Sequence, residues 1–343
     1  MGWRGWEKGS QPEFSRSIKP LSPSVSVIIV NWRSQTHLNQ CLAALSRQTL
    51  RPGRIIIVDN SSDFSPKAIL HLNLRIEVIA PGGNIGFAAA NNLGVMEAHG
   101  SEWIALLNPD AFPEPLWLEN LLRAADRAPD FDFFGSRLIR YLEPQVLDGV
   151  QDVYHTSGLV WRHKHGVKST EADLVSKEIF SACAAAALYR RSAFLEAQGF
   201  DEDFFCYLED VDLGFRLRLL GYRCLYVPSA KAHHVGSASS GRHSDFTVYH
   251  GHRNLVWTYV KNMPWPLLVY YLPQHLFLNA ASLVWFSLKG RTKLIFKAKK
   301  DAVRLLPAMV LKRRAIQKNR RVTLTWIKKF MARGAYAVLK RPE

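Results

Sequence analysis

Six acids fall within thirteen positions in the run Phe200-Asp201-Glu202-Asp203-Phe204-Phe205-Cys206-Tyr207-Leu208-Glu209-Asp210-Val211-Asp212. Beyond them Leu213, Leu217 and Leu220 recur at helical spacing and Gly221 stands where a helix would stop. Glu209 and Asp210 therefore open a helix. The dipole at a helix start favours the carboxylate anion, while crowding by like charges opposes ionisation. A carboxylate in that balance stays ionised yet accepts a proton, as a general base acting on a sugar hydroxyl must, and the surrounding aromatics suit a sugar site. The same residues also read as an acidic helix start, with Asp212 and Arg216 paired across one turn.

Asn108-Pro109-Asp110 follows five residues that read as a buried strand. A carboxylate just beyond such a strand needs a partner, and Mg²⁺ or Mn²⁺ would supply one by taking oxygens from Asp110 and from a diphosphate. Alternatively Asp110 caps a following helix near Pro113 and Pro115. His233-His234-Val235-Gly236-Ser237 offers an imidazole that could complete such a site with Asp110, or a merely structural histidine pair. Gly82-Gly83-Asn84-Ile85-Gly86-Phe87 opens a helix at a strand end, where free N–H groups meet an anion or ribose. It matches neither the dinucleotide fingerprint nor the GxxxxGK[ST] phosphate loop, which counts against nicotinamide and ATP-hydrolysing chemistry. Arg253 is a further cation able to face a phosphate.

The elements that must position these residues begin at Val25. Apolar runs at 25–30, 54–58, 76–79 and 103–107 alternate with helical stretches near 37–48 and 87–98. Continuous apolar strands separated by helices predict an α/β fold around a mostly parallel sheet covered on both faces. Ligands of such sheets bind beyond the carboxyl ends of the strands, where Asn31, Asp59, Asn84, Asn108 and Asp110 all fall.

A hydrophobic fraction of 48% with 22% charged residues excludes a mostly disordered chain, and 343 residues allow a large domain with an appendage. The net charge of +16 is localised: residues 289–343 hold 18 Lys and Arg against Asp301 and Glu343, so the first 288 residues balance to zero. Residues 262–288 contain no charged side chain, although Pro264, Pro266 and Pro273 interrupt the first half. Such a segment reads as a bilayer span, an interfacial or re-entrant stretch, or a buried helical hairpin. The cationic, apolar-interleaved tail after it suits anionic lipid headgroups; no base-reading module accompanies it, so nucleic acid is not an expected partner. Residues 1–24 lack the apolar core of a signal peptide, and Trp6 stands where myristoylation requires Ser or Thr. They read as a flexible leader. Four cysteines without paired spacing suit a reducing cytosol.

Taken in order, Val27-Ile28-Ile29-Val30-Asn31-Trp32, Ile57-Val58-Asp59-Asn60-Ser61-Ser62-Asp63, the run from Asn84 to Gly94, Asn108-Pro109-Asp110-Ala111, Gly199-Phe200-Asp201-Glu202 with Tyr207-Leu208-Glu209-Asp210-Val211-Asp212-Leu213, and His234-Val235-Gly236 resemble family 2 glycosyltransferases of the GT-A fold, rhamnosyltransferase-like members above all. The resemblance covers about residues 25–262. It implies a GT-A domain over 25–261; the apolar and basic composition beyond it sets apart a membrane-associating region over 262–343. The resemblance further implies that Asn31 and Asp59 contact the nucleotide, that Asn84 sits over it, that Asp110 forms the divalent-metal site with His234 as a candidate co-ligand, and that Asp210, with Glu209 beside it, is the base. Gly86, Asn108 and Arg253 join Asn84 as cofactor-binding candidates on their own chemistry. Asn108 replaces the first acid of the family's DXD pattern. The implied activity is inverting transfer of rhamnose from dTDP-rhamnose to a polyprenyl-linked glycan acceptor at the cytoplasmic face of a bacterial plasma membrane, in surface glycan assembly. Transfer of galactofuranose or a hexose from a UDP-sugar, and a non-catalytic membrane-bound scaffold, are the alternatives.

Overall fold

The computed structural model describes residues 25–61, 64–65, 72–236 and 244–334. The expected leader, residues 1–24, and Ser62, Asp63 and Ser237 of the motifs lie outside the described residues. The first half runs β1 (Val25–Asn31), α1 (Gln35–Ser46), β2 (Arg54–Asp59), β3 (Ile76–Ile79), α2 (Phe87–Glu97), β4 (Trp103–Leu107), β5 (Ala111–Pro113) and α3 (Trp117–Arg127). It continues through β6 (Phe133–Arg140), β7 (Glu143–Gly149), β8 (Gln151–Tyr154), β9 (Val160–His163), β10 (Lys177–Glu178), β11 (Ala186–Arg190), α4 (Arg191–Glu196), α5 (Glu209–Leu219) and β12 (Cys224–His234). Five helices follow: α6 (Asp245–Asn262), α7 (Trp265–Leu288), α8 (Thr292–Arg304), α9 (Leu306–Lys318) and α10 (Leu324–Phe330).

The main sheet has the order β10-β12-β6-β11-β4-β1-β2-β3. Strands β4, β1, β2 and β3 are mutually parallel, as the apolar runs predict, and β11 is antiparallel to both β4 and β6. All seven residues of β1 are buried because this strand lies inside the sheet with cover on both sides. Successive side chains point to opposite faces, so Val27 and Ile29 join Leu38 and Leu42 of α1 and Leu121 of α3, while Ile28 joins Val95 of α2 and Leu217 of α5. Asp110 leads into β5 rather than capping a helix, since α3 begins only at Trp117.

A third core unites Val211 and Phe215 of α5 with Tyr259 of α6, Tyr271 of α7 and Ile327 of α10. The C-terminal helices thus pack on the helix that begins with Glu209 and Asp210. Several cations of the basic tail have internal partners: Lys312 with Asp201 and Asp203, Arg313 with the carbonyls of Val260 and Met263, and Arg321 with Glu196. Helix α7 runs unbroken through its 24 residues, so the prolines do not interrupt it. Pro264 and Pro266 fall at its start, where a missing N–H costs nothing. Nor is α7 a core helix: it is long and apolar enough to cross a membrane, yet only 17% of its most apolar window is buried.

Candidate active site

A cavity of about 980 Å³ opens at the carboxyl ends of the parallel strands. Asn84, Asn108, Asp110, Glu209, Asp210 and His234 all line it, so the two acids 100 positions apart reach one space.

Asp110 follows β4 and His234 ends β12, which pairs with β5 in a register that sets His234 opposite Ala111. His234 Nε2 lies 3.3 Å from Asp110 Oδ1, and its Nδ1 is 2.8 Å from Asp148 Oδ2. Burial works against the imidazolium, but these two carboxylates raise the His234 pKa to about 9. Burial likewise works against the Asp110 anion, yet His234 holds it below the usual carboxylate range. Asp148 is held lower still, against its burial, by Arg162, His165 and His234. His234 Nε2 has no hydrogen-bond partner despite being buried. Two ligands of an octahedral ion at ~2.1 Å stand about 3 Å apart, close to the observed spacing; the carboxylate suits Mg²⁺ or Mn²⁺, and the imidazole, on releasing its proton in exchange for the ion, suits a transition ion such as Mn²⁺. Asp110 and His234 therefore fit a divalent cation, with Asp148 orienting the imidazole from behind.

Asp210 sits in the first turn of α5 and is half-buried. Its Oδ2 accepts the Ala184 N–H at 3.1 Å and its Oδ1 that of Val211 at 2.8 Å. Burial nevertheless pushes its pKa up, the two N–H groups and Arg162 opposing. Glu209 is more deeply enclosed: burial, then the Asp210 charge, raise its pKa well above the usual range. Asp152 is pushed to about 8 by burial and by Asp210. Asp210 thus keeps company with acids that favour protonation, and its own oxygens are the ones held by N–H donors.

Nothing in the sequence singled out the charges linking the two halves of this site. Arg162 of β9 faces Asp152 of β8 across a two-stranded antiparallel ribbon. Its Nη1 donates to Asp148 Oδ2 at 2.6 Å and its Nη2 to Cys183 Sγ at 2.9 Å. The backbone of Gly149 lies against the Arg162 stem: a Cβ there would stand 2.2 Å from Arg162 Cγ. Asp152, Cys183 and Asp210 bring potential ligand atoms within 4.8 Å of one another, but the Arg162 guanidinium supplies the positive charge at that place. Burial also keeps the Cys183 thiol protonated.

The remaining predicted residues divide. Asn84 and Asn108 line the cavity; Asn84 Oδ1 accepts the Gly86 N–H at 2.9 Å. Asn31 and Asp59 are buried and do not line the cavity, although their neighbours Val30, Trp32 and Asn60 do. They are register partners in β1 and β2, Asn31 Nδ2 donates to Asp59 Oδ1 at 2.9 Å, and Asp59 Oδ2 accepts the Phe64 N–H at 2.9 Å. Asp59 thereby shapes the turn that carries Asn60.

Arg253, expected to face a phosphate, does not line the cavity. Its Nη2 donates to the carbonyls of Asp203 and Phe204, each at 2.9 Å, while its guanidinium stacks over Trp257. Beside it Asn254 Nδ2 donates to the carbonyls of Phe204, Cys206 and Tyr207 at 3.0, 3.0 and 2.7 Å. The loop so held carries three left-handed residues, Phe205, Tyr207 and Leu208, at φ 64°, 70° and 65°, each costing about 1–3 kcal/mol. The Phe205 carbonyl in turn caps α2, accepting the N–H of Phe87 at 2.7 Å and that of Ala88 at 3.2 Å. Gly86, at φ +88°, permits this approach, because a Cβ would stand 2.6 Å from the Phe205 ring.

The sequence profile described as Glycosyl transferase family 2 matches residues 26–197. This chain belongs to glycosyltransferase family 2. It is 31% identical over 244 residues, 65% of its length and 79% of the relative's, to the N-acetylglucosaminyl-diphospho-decaprenol L-rhamnosyltransferase of Mycobacterium tuberculosis. It is 27% identical to a rhamnosyltransferase of Escherichia coli, over 61% of this chain and 83% of that one. Among solved structures, S. aureus TarS residues 1–349 in complex with UDP-GlcNAc superposes with a TM-score of 0.52 at 16% identity, covering 86% of this chain and 88% of that one. The mannosyltransferase of Pyrobaculum calidifontis in complex with GDP-Man and Mn²⁺ gives 0.50 at 18% identity, covering 90% and 86%. The fold is GT-A and the protein is a glycosyltransferase, similar to rhamnosyltransferases.

Proposed function

We propose that this glycosyltransferase moves rhamnose, with inversion, from dTDP-rhamnose to a polyprenyl-diphosphate-linked glycan at the cytoplasmic surface of a bacterial membrane, in cell-surface glycan assembly. The observation that carries the reading is the single cavity lined by both the Asp110–His234 pair and Asp210. The printed activities of the two rhamnosyltransferases support the donor sugar, and the decaprenol-linked substrate named for the mycobacterial relative supports the acceptor class.

Asp110 and His234 would hold a divalent cation, which would supply positive charge against the donor diphosphate and its departure. Asn84 and Asn108 border the donor side of the cavity. Asp210 Oδ2 or Oδ1 takes the proton from the acceptor hydroxyl as its oxygen attacks the anomeric carbon in line, and no covalent enzyme intermediate is needed. Trp161, Tyr207 and Phe246 all line the cavity and are the aromatic side chains assigned to contact the acceptor sugar.

Release of nucleoside diphosphate from dTDP-, UDP- and GDP-sugars, with and without Mn²⁺ and with a short-chain polyprenyl-diphosphate N-acetylglucosamine, tests the proposal. Metal-stimulated turnover of dTDP-rhamnose is the expected result. Preference for a UDP-sugar overturns the donor assignment, and no release from any donor overturns catalysis itself.

A further inference from the structure

Helix α7 is fastened along one stripe. Leu267 and Tyr271 enter the core shared with α5, α6 and α10. His275 stacks on Tyr259 with ring centroids 3.9 Å apart and places Nδ1 2.8 Å from the Ser157 carbonyl oxygen. Lys299 of α8 donates to Asn279 Oδ1 at 2.6 Å and to the His252 carbonyl at 3.1 Å, and Phe286 meets the His252 ring edge-on at 4.8 Å. At ~1.5 Å per residue, the attachments from position 267 to 286 cover about 28 Å of helix, nearly the ~30 Å thickness of a hydrocarbon core. For α7 to cross a bilayer, the polar groups that accompany it along this length, Thr156, Ser157, His252 and Lys299, would have to enter the hydrocarbon with it.

The opposite face is uncovered among the described residues. Val269, Leu276, Phe277, Val284 and Leu288 are 49–79% exposed and, at a helical advance of ~100° per residue, fall together across from the fastened stripe. Helix α8 packs along α7 and exposes Phe296 and Val303 on a face shared by spacing with Lys293, Lys300 and Arg304. An apolar face of this extent marks an interaction surface. The adjoining cations, in a region that carries the chain's whole excess of positive charge, select an anionic occupant.

We propose that α7 lies in the plane of an anionic bilayer surface, its exposed face sunk to the headgroup and acyl boundary of one leaflet, with the α8 cations on the headgroups. The helix is a ledge on the membrane and does not span it. This deepens the lipid-linked acceptor reading and rests on it for its purpose. Vesicle binding is measured without donor or acceptor, so failure of one is distinguishable from failure of the other.

The test is sedimentation of the full chain with phosphatidylcholine vesicles, with and without 30 mol % phosphatidylglycerol, together with a nitroxide label at Phe277→Cys read for depth by oxygen and nickel collisions, the unmutated chain's own labelling being subtracted. Expected are preferential binding to the anionic vesicles and a label just below the phosphates. At about fivefold per removed charge, the Lys293→Gln, Lys300→Gln, Arg304→Gln triple variant should bind on the order of 100-fold more weakly, while its release of nucleoside diphosphate from donor in solution stays unchanged. A label at the bilayer midplane, equal binding to neutral vesicles, or a dimer formed through this face without vesicle binding each overturns the proposal.

Discussion

Asp210→Asn separates the role of the carboxylate from the architecture around it. The substitution keeps the side-chain shape and one acceptor oxygen. The amide NH₂ must then face either the Ala184 or the Val211 N–H, so one of these two bonds is lost, a cost of about 1 kcal/mol. Relief of repulsion acts in the other direction, since Asp210 stands among Glu209 and Asp152, whose pKa values its charge raises. The unfolding midpoint should move by only a few degrees. Loss of a general base, by contrast, costs about 10²–10⁴ in rate, or roughly 3–5.5 kcal/mol of barrier at ~1.36 kcal/mol per decade. Turnover is read by coupled detection of released nucleoside diphosphate, and donor affinity by titration calorimetry on the same preparation. The expected pattern is a kcat reduced at least a hundredfold with a donor Kd within about threefold of the parent. A kcat within tenfold of the parent refutes Asp210 as base, and a lost donor site refutes its placement on the acceptor side.

Asp152→Asn replaces a carboxyl that burial and the Asp210 charge keep neutral up to about pH 8, so activity should lose any inflection near that pH while the acid limb of kcat/KM, set by Asp210, stays in place. Stability should respond as well. Asp152 is about 8 in the folded chain against roughly 3.9 unfolded, so the native state binds more protons between these values and stability falls as pH rises through that window. The variant should lose this slope in denaturant titrations, and an unchanged slope would refute the assignment. Gly86→Ala forces a Cβ into a positive-φ position 2.6 Å from the Phe205 ring; a stability loss of about 2–4 kcal/mol and weakened donor binding should appear together in melting and calorimetry. Asn254→Ala unties three carbonyls of the left-handed loop. It should lower stability by about 2–3 kcal/mol, lower kcat at least tenfold and raise donor KM with it, because the same loop caps α2; kcat and KM both unchanged would refute the loop's role.

The parallel half of the sheet was legible because β1, β2 and β4 are buried on both faces, which makes each a continuous apolar run. That Asp110, His234 and Asp210 would share one cavity was legible because their motifs occur in order. Asp148, Asp152 and Arg162 were not. Their association depends on the pairing of β8 with β9, and β7 begins with three exposed residues before turning inward, so no alternation marks it. Arg253 was misread because a cation beside histidines near a diphosphate site looks like a phosphate ligand; only its place on the buried side of α6 shows that it holds backbone carbonyls. In the same way a charge count cannot distinguish Lys312, paired with Asp201 and Asp203, from the exposed lysines of α8.

These misread and unread residues converge on one physical task. A loop with three left-handed residues is not stable alone, and Arg253 and Asn254 offset its strain by occupying its carbonyls from α6. The same helix ends at Lys261, buried between Asp201 and Asp212 at 2.5 and 2.8 Å, and at Asn262, which donates to Asp212 at 2.7 Å. Asp212 lies two positions after Asp210 on α5, and the loop's Phe205 carbonyl caps α2 at the edge of the donor cavity. One helix of the C-terminal bundle therefore fixes both the setting of Asp210 and the start of the glycine-rich turn. A side chain that leaves α6 disturbs both Asp210 and the glycine-rich turn through a single loop, so the C-terminal helices are part of the cavity's frame.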